Sequence, residues 1–231
     1  PELLPDYQKS EGFQIDQTKT LINAGYMTNW DDVYASVKGD VNNNYRLPGD
    51  MNIVDFNGDG IINDYDEAPY GYPSRPQNTY NIAVGVDYKG WSFSIQFYGV
   101  YNTTRSHNFQ TTTGATTCPL VYEYLNDYWT PANPDAQWKA PRSGTESYLG
   151  SLSYFDGSYL RLKNVELSYT FNQGWVKRLG LESLKLIVGG NNLCFWSKLP
   201  EDREQSVYNG GGTGTLYPNV KRVNIGLNVS F

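Results

Sequence analysis

A chain of 231 residues with a net charge of −6 and a pI near 4.8 carries no basic stripe to neutralise phosphates, which excludes nucleic acid as a partner. No apolar run reaches the roughly 18 residues of a membrane-spanning helix. That leaves membrane barrels open, because their strands need only about ten alternating residues each. The 20 Tyr and 23 Gly suit strands joined by turns, with aromatic surface to spare. His107 is the single histidine, so a multi-His zinc site or a Ser-His-Asp triad has little to build on. Cys118 and Cys194 either pair in an oxidising compartment or stay as thiols. With neither an initiator Met nor a signal peptide, the chain is expected to be an internal or C-terminal piece of something longer.

Residues 1–50 are irregular, with a hint of a strand at Glu11-Gly12-Phe13-Gln14-Ile15 and of a short helix at Trp30-Asp31-Asp32-Val33-Tyr34. Asn42-Asn43-Asn44 and Pro48-Gly49-Asp50 are turn material. They lead into the sharpest local motif, residues 55–66. It places oxygen donors at loop positions 1 (Asp55), 3 (Asn57), 5 (Asp59) and 12 (Asp66), with Gly60 at the sharp turn. The Ile61 carbonyl takes position 7, Asn63 offers a water-mediated contact at position 9, and apolar Ile62 anchors the loop from behind. All-oxygen donors select a hard cation, Ca²⁺ with Mg²⁺ as the alternative. The short Asp66 in place of Glu makes the loop dockerin-like rather than a helix-loop-helix sensor. A metal-free Asp/Asn/Gly turn is the plainer reading.

After the irregular Pro69–Pro76 the pattern changes. Large apolar residues fall on alternate positions through 80–88, Lys89-Gly90 turns the chain, and 91–97 repeats the alternation, which predicts an antiparallel hairpin. A long strandless insertion is expected over 102–157, with a short helix at 121–129 and loop punctuation at Thr130-Pro131-Ala132-Asn133-Pro134. Alternation resumes over 159–171, with a change of apolar phase near Asn164 that marks either a bulge or departure from the apolar belt. Residues 172–182 form a turn with one helical turn at 175–179. Strands follow at 184–192 and 223–231, separated by a Gly-rich loop at 196–218.

Dyad alternation fits a soluble sandwich or a membrane barrel. The barrel is favoured by small polar partners (Ser92, Ser94, Gln96, Asn224, Gly226, Asn228) and by aromatics at strand ends (Tyr80, Tyr88, Trp91, Tyr101, Tyr159, Tyr169, Phe171). It is also favoured by the alternation of short and long connections. Counting back from a periplasmic end at Phe231 places 27–78, 102–157 and 196–218 outside the cell.

The chain resembles the C-terminal barrel segment of SusC/RagA-type TonB-linked outer-membrane proteins. The resemblance rests on Trp30–Tyr34, Pro48-Gly49-Asp50, Asp55–Gly60, Gly71-Tyr72-Pro73, Tyr88–Trp91 and Trp129–Pro134. It continues through its most specific stretch, Asp156–Val165, to Gly190-Asn191-Asn192-Leu193, Tyr217-Pro218 and the terminal Phe231. It implies an all-β, antiparallel transmembrane β-barrel segment, the last 5–6 of about 22 strands around a plugged lumen. It also implies a plug reaching TonB from a part outside this sequence, a SusD-type surface lipoprotein, glycan or peptide import and a Gram-negative outer membrane. Five strands alone would leave two edges unpaired in lipid. A secreted Ca²⁺-dependent carbohydrate-binding sandwich is the alternative. An enzyme is not expected: a glycosidase pair of Asp156 and Glu166 is the weakest candidate. The loop aromatics Tyr122, Tyr124, Tyr128, Trp129, Trp138, Tyr148 and Tyr154 either stack on sugars or pack the loops.

Overall fold

Short strands occupy the stretch that lacks periodicity. The computed structural model describes residues 4–40, 46–106, 126–140, 150–172, 174–199 and 219–231. In chain order these carry β1 (Lys19–Thr20), β2 (Asn23–Tyr26), α1 (Trp30–Ala35), β3 (Lys38–Gly39), β4 (Met51–Ile53), β5 (Ile61–Ile62) and β6 (Ala68–Pro69). There follow β7 (Asn78–Tyr88), β8 (Trp91–Tyr101), β9 (Thr104–Ser106), β10 (Tyr154–Asp156), β11 (Tyr159–Phe171), α2 (Gly174–Arg178), β12 (Ser183–Ser197) and β13 (Arg222–Ser230).

Two compact units result. One holds the described residues of Pro1–Arg75 and Thr103–Asp156; the other holds those of Pro76–Asn102, Gly157–Tyr208 and Leu216–Phe231.

The second unit is one antiparallel sheet in the order β13-β12-β11-β8-β7. Its register sorts the side chains onto two faces. Tyr88 pairs with Trp91, Val86 with Phe93 and Val84 with Ile95. Across the next ladders Leu167 meets Phe93 and Val188, and Val188 meets Ile225. That face is apolar throughout, yet its residues stay exposed: Val84 51%, Val86 58%, Val188 43%, Ile225 77%. In a sandwich a second sheet would bury them. Below the bulge in β11 the opposite face carries Ser92, Ser94, Gln96, Glu166, Ser168, Thr170, Asn224 and Asn228 with the apolar Ile187, and above it the same face carries Tyr98, Val100, Tyr159 and Phe195. Exposed apolar outside and small polar inside is the transmembrane barrel pattern. The phase change in β11 is a bulge, where the register shifts between Leu162 and Asn164 against both neighbours. β12 runs to Ser197, so the loop expected from Trp196 begins later. Lys89 and Gly90 make the β7–β8 turn at φ 45° and 90°, and the helical turn expected at 175–179 is α2.

The first unit holds most of the buried core. Leu21, Met51, Ile53 and Ile62 form a cluster, with Tyr26, Val37 and Leu152 packed against it. The strand hinted at Glu11–Ile15 is absent: Gly12 (φ 86°) and Asp16 (φ 60°) turn the backbone, and the Phe13 N–H donates to the Ser10 carbonyl. The 102–157 insertion is not strandless, because β9 pairs with β10. The helix expected at 121–129 is not formed at its described end, where Tyr128 is bridged to Trp138, and its 121–125 part lies outside the described residues. α1 forms as expected. Asn29 accepts from the Asp32 N–H at 2.9 Å and the Asp32 carboxylate accepts from the Asn29 N–H at 3.3 Å, a reciprocal cap.

Candidate functional site

The 55–66 loop folds on its own polar groups. Gly58 (φ 76°) and Gly60 (φ 85°) supply the left-handed backbone that an L side chain resists. Asp55 accepts from the Gly58 N–H at 2.7 Å and the Gly60 N–H at 2.8 Å. The Asn57 side-chain Oδ1 accepts from the Asp59 N–H at 2.8 Å, and its Nδ2 donates to the Asp59 carboxylate at 3.0 Å. Asp59 accepts from the Ile61 N–H at 2.8 Å. Asp66 is fully buried and closes the loop: Oδ1 takes the Phe56 and Asn57 N–H groups at 2.8 and 3.2 Å, and Oδ2 takes the Asn63 N–H at 2.9 Å. Asn63 caps the 3₁₀ turn over Asp64–Asp66 by accepting from the Tyr65 N–H, so its side chain is committed to the backbone. Behind the loop, Ile62 is 2% exposed in the core cluster, the anchoring role expected of it. Ile61 and Ile62 sit in register with Lys38 and Gly39 in a parallel pair, which ties the loop to the end of α1.

The donor chemistry suits a hard cation, being all oxygen. The placement is that of a self-closed turn. Every carboxylate oxygen of Asp55, Asp59 and Asp66 already accepts a hydrogen bond. Among the described residues, no three His, Cys, Asp or Glu side chains are grouped to hold a metal.

An N-terminal strap lies over the loop, and no sequence motif announced it. The Tyr7 hydroxyl donates to the Tyr65 carbonyl at 2.5 Å, and its ring meets Phe56 edge-on at 4.7 Å. The Gln8 amide donates to the Asp64 carbonyl at 2.5 Å, and Lys19 holds the strap through the Gln8 and Lys9 carbonyls. Burial first, then the carboxylates of Asp66, Asp59 and Asp55, raises the Tyr7 phenol above its ordinary pKa. These charges thus share one neighbourhood.

Two sequence motifs about eighty residues apart meet in the same unit. Gly49, at φ 93°, lies so close to Trp129 that a Cβ would stand 2.5 Å from Cε3. The Gly49 carbonyl accepts from the Ala140 N–H at 3.3 Å, and the Trp129 N–H donates to the Trp138 carbonyl at 2.8 Å. Trp129 and Trp138 are 6% and 7% exposed, so these two aromatics pack the loop and offer no stacking platform. Asp127 pins the turn by accepting from Asn133 and from the Gln137 N–H. The Tyr154 ring lies 6.3 Å from that of Tyr70, tilted by 60°, and Tyr128 is partly exposed. Tyr122, Tyr124, Tyr148, His107 and Cys118 lie outside the described residues, while Cys194 on β12 is a free thiol. Asp156 ends β10 and Glu166 faces the polar side of β11, in different units. In the Asp156–Val165 signature, Arg161 lies 5.6 Å from the ring centroids of both Tyr159 and Phe195.

No protein-family model matches the chain. It is similar to TonB-dependent receptor P26 of Formosa agariphila, 33% identical over 207 residues, which cover 80% of this chain and 20% of that protein. TonB-dependent receptor P3 of the same organism is 26% identical over 194 residues, 80% of this chain and 19% of that protein. Among solved structures the chain is similar to the RagAB peptide importer in its closed-closed state, with a TM-score of 0.57 at 20% identity over 81% of this chain and 20% of that one. The RagAB peptide transporter gives a TM-score of 0.55 at 22% identity over 74% of this chain and 19% of that one. The chain thus spans about one-fifth of the length of these relatives. The resemblance carried by the sequence motifs holds, and the chain belongs to the TonB-dependent receptors as a C-terminal segment of their β-barrel.

Proposed function

We propose that this chain is part of an outer-membrane TonB-dependent transporter of a Gram-negative bacterium that imports glycans or peptides with a SusD-type surface lipoprotein. The observation that carries the reading is the sheet with one exposed apolar face and one small polar face. Lipid accounts for the first face and a hydrated, plugged lumen for the second. A soluble carbohydrate-binding sandwich gives the exposed apolar face no partner. Relatives named as TonB-dependent receptors and a fold shared with a peptide importer support transport over chemistry.

In this reading the stretches 27–78, 102–157 and 196–218 lie outside the cell, and the cored unit built from the first two is the surface on which a lipoprotein lid or cargo docks. The test is uptake of fluorescent oligopeptides and oligosaccharides by cells carrying or lacking the full-length receptor, with and without TonB. Loss of one cargo class in both deletions is expected. Unchanged uptake, or recovery of the full-length protein from the soluble fraction, overturns the reading.

The same proposal includes Ca²⁺, or Mg²⁺ in its place, at Asp55, Asn57, Asp59, the Ile61 carbonyl and Asp66. The spacing of the donors and the crowding of their charges around Tyr7 support it. When bound, the ion would neutralise charge and do no chemistry. Elemental analysis of the purified receptor should find a stoichiometric divalent ion that D55A/D59A loses. An ion content equal in both refutes the site.

A further inference from the structure

The α2 connection does more than return the chain from β11 to β12. Val176 is fully buried and seats α2 on the sheet. Trp175 and Leu179, four residues apart and linked by the Leu179 N–H to the Trp175 carbonyl, remain 42% and 65% exposed. A ladder of rings joins them to the lipid-facing side. Trp91 meets Tyr169 at 4.7 Å, Tyr169 meets Phe171 at 4.6 Å, and Phe171 meets Trp175 at 5.7 Å. Trp91, Tyr169 and Phe171 all belong to the apolar face, so α2 continues that face past the ends of the strands. The neighbouring β7–β8 turn is tied to the same rim by the Thr170 N–H donating to the Gly90 carbonyl at 2.8 Å.

Cations collect on this rim although the chain as a whole is acidic. Lys89 extends along Tyr88, its ammonium 5.2 Å from the ring centroid, and Lys177 and Arg178 are exposed on α2. None of the three is in an ion pair among the described residues. The carboxylates nearest in sequence are set apart: Asp87 is on the polar face of β7, and Glu182 stands where the connection enters β12. Exposed aromatics at a strand boundary, with unpaired cations just beyond them, match the depth profile of a bilayer. Amphipathic rings sit at headgroup level there, and Lys or Arg reach the phosphates.

We propose that Lys89, Lys177 and Arg178, carried by the Trp91–Tyr169–Phe171–Trp175 ladder, form a binding surface for anionic phospholipid headgroups. The occupant follows from continuity with the lipid-facing sheet and from charge complementarity. The proposal rests on the membrane reading of that sheet. The rim fixes the depth of the sheet in the bilayer and favours phosphatidylglycerol over zwitterionic lipid. Each cation contributes at most about fivefold to that preference, less in salt.

The test uses the full-length receptor reconstituted in vesicles of phosphatidylcholine and of an equal mixture with phosphatidylglycerol. Electron spin resonance of spin-labelled lipids reads the relative association of the two headgroups. A several-fold preference for phosphatidylglycerol is expected in the parent. It should fall near parity in K89Q/K177Q/R178Q, fall partway in R178Q, and persist in K38Q, which removes an exposed lysine of the other unit. A parent without preference, or a triple variant that keeps it, overturns the proposal. Failure of the receptor to enter vesicles refutes the membrane reading instead, so the two failures are distinct.

Discussion

Replacing Asp66 by Ala tests whether the 55–66 loop is held by its own hydrogen bonds. The fully buried carboxylate accepts three backbone N–H groups, from Phe56, Asn57 and Asn63. A hydrogen bond to a charged group contributes about 1.5–3 kcal/mol, but the three do not sum. Phe56 and Asn57 are exposed residues whose N–H groups regain water in the variant, whereas half-buried Asn63 regains less. The expected loss is about 3 kcal/mol of local opening free energy, an exchange rate on the order of 100-fold faster. Asp66→Asn keeps an oxygen for Phe56 and Asn57 but turns an amide donor onto the Asn63 N–H, and about tenfold is expected. The assay is hydrogen–deuterium exchange of peptides spanning 54–63 in the full-length receptor, before and after chelation. Exchange in D66A within about twofold of the parent refutes the reasoning. So does a chelated parent that exchanges as fast as D66A, which would make the ion, and not the backbone donors, the stabilising agent.

Gly49→Ala should destabilise the Trp129–Trp138 turn by about 3 kcal/mol, combining positive-φ strain with a Cβ 2.5 Å from the indole and 2.9 Å from the Ala140 Cβ; proteolysis within 126–140 no faster than in the parent contradicts this. Ile225→Lys, on the apolar face, should cost about 2–4 kcal/mol and lower assembled receptor in the membrane, while Asn224→Lys on the polar face is tolerated; equal losses would sink the facial assignment. Burial, then the Asp127 carboxylate, pushes the Tyr26 phenol up to about 12, and its hydroxyl has no hydrogen-bond partner among the described residues. The folded state therefore favours the neutral phenol, and its contribution is complete below pH ~10 and fades as pH climbs towards 12. Since Tyr26 is half-buried, this amounts to about 1–2 kcal/mol. Tyr26→Phe should be neutral or stabilising at pH 7 and should flatten the alkaline limb of denaturant stability; a parallel pH curve would refute it.

The sheet was legible because alternation is a local code. In a strand, each side chain's face is set by its parity alone, so Val84, Phe93, Leu167 and Ile225 fall on one side before any partner is known. The bulge at Leu162–Asn164 left its mark in the same code, as a phase change that the ladders then located. The metal-type loop was legible in composition and glycine placement. Its wiring was not, since the same oxygens that suit a cation also suit backbone N–H groups.

Sequence alone determined the barrel class, the strand faces and the family, because each depends on order and spacing along a short stretch. Only the tertiary structure decided that the apparent loops share a buried core. Gly49 meets Trp129, the Ser151 N–H reaches the Leu21 carbonyl, and Tyr7 closes over Phe56. Those contacts join residues tens of positions apart, and no periodicity within either partner encodes them. Fixing them takes the desolvation of particular side chains against one another, which is a property of the folded chain and of no single segment.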